Sequence, residues 1–94
     1  MSTITVDVLL ATARKHEGQT LTTTARGARF RVTAHRDSLE VAPESSGPGN
    51  TKKVPLSELR RFCDEFNKSG SRLTSHYAGL THNASYLLRL VELS

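Results

Sequence analysis

Residues 19–41 read QTLTTTARGARFRVTAHRDSLEV, and this stretch decides the fold. Its side chains alternate with a period of two. Leu21 and Thr23 fall on one side of a chain in which Thr20, Thr22 and Thr24 take the other. From Ala28 to His35, Phe30, Val32 and Ala34 point one way while Arg29, Arg31, Thr33 and His35 point the opposite way. Leu39 and Val41 then continue the apolar side. β-Branched and aromatic residues alternating with polar ones mark strands buried on one face only. Two short joints separate them. Ala25-Arg26-Gly27-Ala28 reads as a hairpin loop in which Gly27 supplies a positive φ, and His35-Arg36-Asp37-Ser38 reads as a second turn. Links this short join antiparallel strands, so the stretch predicts a three-stranded meander.

Helical periodicity appears on either side. Val6, Leu9, Leu10 and Ala13 form one stripe, with Thr3 or Thr5 placed to cap the helix and Asp7 suited to its first turn. Arg14, Lys15 and His16 suit its C-terminal end, and Gly18 stops it. Beyond the meander, Pro43 ends the third strand and the loop 44–50 (ESSGPGN) follows, rich in turn formers. Lys52-Lys53-Val54 predicts a short edge strand whose lysines discourage edge-to-edge pairing. Pro55 opens a second helix with Leu56, Leu59, Phe62, Cys63 and Phe66 on one face, stopped by Gly70. Residues 71–79 carry no clear period and read as a turn with a short helical piece. Thr81 is placed to cap a last helix with Ala84, Leu87, Leu88 and Val91 on one face, widened by Tyr86, Leu90 and Leu93. The expected fold is α+β: one domain over residues 1–94, with an N-terminal helix, a three- to four-stranded antiparallel sheet, and two or three helices packed on one sheet face.

Composition bounds the function. Ninety-four residues build one modest core and leave no room for two lobes around a deep cleft. No apolar run reaches the ~18 residues of a membrane span. A single cysteine makes no intrachain disulfide, and the opening MSTITVDVLL lacks the pattern of a secretory signal, so a cytoplasmic protein is expected. The sequons at Asn67 and Asn83 then read as chance. Net charge is +4, from 13 Lys and Arg against 9 Asp and Glu. The excess is local. Arg14, Lys15, Arg26, Arg29, Arg31 and Arg36 stand against Glu17 alone between residues 14 and 36, whereas residues 37–94 balance.

Catalytic and metal motifs are sparse. His16, His35, His76 and His82 form no HxxxH or HExxH pair, and no cysteine cluster joins them, so no metal or other cofactor is expected. His35, Asp37 and Ser38 are triad residue types, but they crowd one turn, where Asp and Ser are simply good turn formers. Cys63 lies in an apolar stripe and reads as inert core. The loop 45–50 lacks the spacing of a phosphate cradle. The chain reads as non-catalytic.

The basic side of the meander remains. Alternation places Arg29, Arg31, Thr33 and His35 beside Thr20, Thr22 and Thr24 on one outer face, with Arg26 at the hairpin tip. Guanidinium groups and hydroxyls are phosphate donors, and the lack of aromatic rings there argues against a base-stacking platform. The expected function is a non-catalytic accessory domain that binds nucleic acid, duplex in preference to single strand, through Arg26, Arg29 and Arg31 with Lys52 and Lys53. An acid such as Glu40 or Glu44 paired across the sheet would neutralise that face. The competing expectation is a protein–protein interaction module with an acidic protein partner, and with a homodimer formed through a leftover apolar stripe of the last helix.

Overall fold

A computed structural model describes residues 3–23, 27–44 and 51–94. The elements run α1 (Val6–Lys15), β1 (Leu21–Thr22), β2 (Arg29–Ala34), β3 (Ser38–Pro43), β4 (Lys52–Pro55), α2 (Leu56–Ser69), a 3₁₀ turn (Thr74–Tyr77) and α3 (Ala84–Leu93). The strands form one antiparallel sheet in the order β1-β2-β3-β4. The α+β layout expected from the sequence is therefore present, with the short fourth strand in place.

Local chemistry explains the element ends. Thr5 caps α1, its Oγ1 accepting the Val8 N–H at 3.2 Å. Thr23 organises the first hairpin. Its N–H donates to the Ala28 carbonyl at 2.8 Å, while its Oγ1 accepts the Ala28 N–H at 3.0 Å. Its carbonyl takes the Gly27 N–H at 2.9 Å, and Gly27 adopts φ +65°, a value that favours glycine. The second turn closes where His35 N–H meets the Ser38 carbonyl at 2.9 Å. Gly70 ends α2 in the left-handed region at φ +66°.

All three helices and the inward face of the sheet share one core. Phe30, Val32, Leu39, Val41 and Val54 from the strands meet Leu9, Leu10 and Ala13 of α1 and Leu59, Phe62 and Cys63 of α2. Phe66 packs against that cluster from its edge. Tyr77 belongs to it as well, although the sequence around it shows no helical or strand period. Its ring lies 4.9 Å from that of Phe62 and is fully buried, and its hydroxyl donates to the Ser71 carbonyl at 2.7 Å.

Two expectations are corrected here. Thr81 does not cap α3; Asn83 occupies the N-cap position. The Thr81 hydroxyl is drawn instead to α2, donating to Glu58 Oε2 at 2.7 Å and accepting the Asn83 N–H at 3.1 Å. Asn83 Nδ2 reaches the same carboxylate oxygen at 3.3 Å. The second correction concerns α3, whose apolar stripe is not left over for a second copy. Ala84, Leu87, Leu88, Leu90 and Val91 are buried, and Tyr86 and Leu93 pack against the core. Tyr86 meets Phe30 edge to face at 4.9 Å, and α3 also packs on α1, so the chain covers this helix itself. Among the described residues, only Leu73 is a large apolar side chain left exposed. No helix of the described residues is long and apolar enough to cross a membrane.

Candidate functional site

With the helices gathered on one side, the opposite face of the sheet is uncovered. Strand alternation decides what it displays. Phe30 and Val32 point into the core, so Arg29, Arg31 and Thr33 point out, and all three are exposed. Thr22 stands directly across from Arg29, Ala42 across from Arg31, and Glu40 across from Thr33. On the far side of β3, Lys53 stands across from Glu40. The result is a polar surface spanning four strands, without an aromatic ring on it among the described residues.

The two lysines part company. Lys53 shares the outer face, because Val54 beside it is buried in the core. Lys52 registers opposite the buried Val41 and so projects at the rim of the helix-covered side. Arg26 and Thr24 lie outside the described residues. Arg29, Arg31 and Lys53 are thus the members of the expected basic set that the structure brings together.

Acids share that face. Glu44 Oε1 lies 4.0 Å from Arg29 Nη1, with the two side chains 60% and 69% exposed. Glu40 Oε1 lies 2.9 Å from His35 Nε2. The surface therefore carries Arg29, Arg31 and Lys53 against Glu40 and Glu44, a mixed face with a small positive excess. The Arg29–Glu44 contact is long and solvated, and exposed pairs of this kind contribute ~0–1 kcal/mol. Both carboxylates are the acids that the sequence named as able to neutralise this face, and the Arg29–Glu44 contact does so in part.

At one end of the face, His35, Asp37, Ser38, Glu40 and Lys53 line a shallow hollow of about 290 Å³. This is where the triad residue types sit. His35 is bonded to Glu40, and no hydrogen bond joins it to the Ser38 side chain, which is only 2% exposed. Asp37 makes no ion pair with His35 either, among the described residues. No group of three or more His, Cys, Asp or Glu residues able to hold a metal ion occurs among the described residues. Cys63 is buried, and that burial, with Asp64 adjoining, pushes its thiol up to about 11, far from a nucleophile's range. His76 lies on the other side of the molecule, where its Nε2 meets Glu65 Oε2 at 3.0 Å.

Comparison with protein families, with curated proteins and with solved structures gave no significant match.

Proposed function

We propose that the uncovered sheet face binds the phosphate backbone of a nucleic acid, with Arg29, Arg31 and Lys53 as the cationic contacts and the Thr22 and Thr33 hydroxyls between them. The observation that carries this reading is the face itself, broad and free of helices, with all three cations exposed on it. Arginine offers a bidentate fork to phosphate, lysine a point charge, and threonine a neutral donor. No Phe, Tyr or Trp ring lies there among the described residues, which favours duplex over single strand. The Glu40 and Glu44 carboxylates limit affinity. Contact is non-catalytic in this reading.

Salt dependence tests it. Three phosphate contacts give a log–log slope of about −2.7, so affinity for a mixed duplex falls about 40-fold between 50 and 200 mM salt. Replacing Arg29 and Arg31 together by Gln lowers the slope by about 2, with little change in melting temperature because both side chains are solvent-exposed. Wild-type protein that binds neither duplex nor single strand at 50 mM salt defeats the proposal. The same face would then be probed with an acidic protein partner. Equal slopes for the two proteins would move the contact surface away from β2.

A further inference from the structure

Resting on that reading, we infer that the His35–Glu40 pair couples a proton to polyanion binding, so that the sheet face holds nucleic acid more tightly as pH falls. The position of the pair is the first argument. His35 follows Arg29, Arg31 and Thr33 at the same two-residue spacing, and its Nε2 contacts Glu40 at 2.9 Å. Glu40 is flanked across the sheet by Thr33 on one side and Lys53 on the other, so its carboxylate occupies the middle of the candidate surface. Histidine is the side chain that changes charge between pH 5 and 8 in the ordinary case. Both side chains remain part-exposed, at 44% and 38%, so the pair is in contact with solvent.

The charge balance supplies the second argument. With His35 neutral, Arg29, Arg31 and Lys53 face Glu40 and Glu44, an excess of one positive charge. Protonation of His35 raises the excess to two, and the imidazolium offsets the carboxylate that would repel an incoming phosphate. The groups around the imidazole come from each neighbouring segment. Glu40 lies on β3, Lys53 on β4, and Asp37 and Ser38 line the same hollow from the turn, with Arg36 next in the chain. Glu17, just beyond α1, is engaged elsewhere, accepting the Ala34 N–H at 2.9 Å. Opposite charges in that set accommodate either state of the ring without a buried charge. By linkage, a ligand that prefers the protonated form must raise the ring's affinity for its proton by the same factor as the proton raises affinity for the ligand.

Anisotropy titrations of a labelled mixed DNA duplex at about 50 mM salt, between pH 8 and pH 5.5, test the inference. Wild-type affinity should rise about three- to tenfold over that range, the worth of roughly one added phosphate contact. His35→Gln should bind with a pH dependence under about twofold. Glu40→Gln should bind at pH 8 about as tightly as wild type does at pH 5.5, since it removes the same negative charge without a proton. Thermal melts confirm that each variant is folded. A wild-type affinity independent of pH, or a pH dependence that survives in His35→Gln, overturns the coupling and leaves the nucleic-acid reading standing. No duplex binding at any pH overturns the nucleic-acid reading, and the coupling with it.

Discussion

Replacing Tyr77 tests whether the segment between α2 and α3 belongs to the core. The 3₁₀ turn that carries it has only one buried residue, yet that residue is the largest fully buried side chain of the described chain. Its ring rests on Phe62 at 4.9 Å and its hydroxyl donates to the Ser71 carbonyl at 2.7 Å. Tyr77→Ala removes the ring and leaves a cavity against Phe62, at a cost of ~3–5 kcal/mol by analogy with large aromatic truncations. A 94-residue domain has roughly 5–14 kcal/mol to lose, so about a fifth of its stability or more rides on one side chain. Tyr77→Phe separates the ring from the hydroxyl. It keeps the packing and loses one hydrogen bond, at ~0.5–1.5 kcal/mol, because Ser71 is only half-buried and its carbonyl can turn to water. Urea unfolding followed by circular dichroism reads both, with thermal melts expected to fall ~4–8 °C per kcal/mol. A loss below about 1 kcal/mol for Tyr77→Ala would refute the placement of this turn in the core. Equal losses for the two variants would refute the division between ring and hydroxyl.

Cys63 should resist thiol reagents in the folded protein. With its thiol pushed up to about 11, about one molecule in a thousand is thiolate at pH 8, so labelling should follow global unfolding and accelerate with urea; rapid labelling under native conditions would contradict the burial. Glu65 gives an acid-range prediction. The hydrogen bond with His76 holds its carboxyl below the ordinary glutamate value. A depressed folded value means stability that is present above the unfolded pKa of ~4.3 and lost as pH falls through the folded one. Glu65→Gln should therefore flatten the decline of the urea midpoint between about pH 5 and pH 3, and parallel declines in the two proteins would count against the pairing.

Most of the fold was legible because each strand is buried on one face, which imprints a period of two that no helix shares. Phe30, Val32, Leu39 and Val41 were readable in this way, whereas Val54, behind two lysines, shows no such period. Helix α2 was legible through its single stripe and the Gly70 stop. What escaped reading depends on contacts distant in sequence. Tyr77 is surrounded by Ser75, His76, Ala78 and Gly79, none of which carries a period, and its burial follows only from docking on Phe62. Thr81 and Asn83 are both capping residue types in isolation. Glu58, 23 residues before Thr81, settles the matter by accepting its hydroxyl proton. Asn67 behaves similarly. Its side-chain amide accepts the Ile4 N–H at 2.8 Å and donates to the Ile4 carbonyl at 2.7 Å, tying the start of the chain to α2 across 63 positions.

The mixed charge of the sheet face was more nearly legible than the paired contacts suggest, because the second turn sets the register. His35 and Ser38 close that turn, so a residue counted back from His35 faces the residue counted equally far on from Ser38. Thr33, two before, faces Glu40, two after, and Arg31 faces Ala42. The same count continued beyond the strand brings Arg29 opposite Glu44, the acid found 4.0 Å away. Neutralisation of the basic strand is thus built into the hairpin. The period of two ties both carboxylates to the arginine side for as long as Leu39 and Val41 face the core. A one-residue slip would turn Glu40 inward among Leu59 and Phe62, where an unpaired carboxylate costs several kcal/mol. The contact of His35 with Glu40 does not follow from this count, since the pair is diagonal across the ladder. Long side chains bridge such diagonals when the directly opposite residue is small. Ser38, opposite His35, is small and nearly buried, leaving the imidazole free to lean along β3 to Glu40. A larger residue at position 38 would fill that hollow and push the ring away, so the geometry of the His35–Glu40 pair depends on a serine that carries no charge itself.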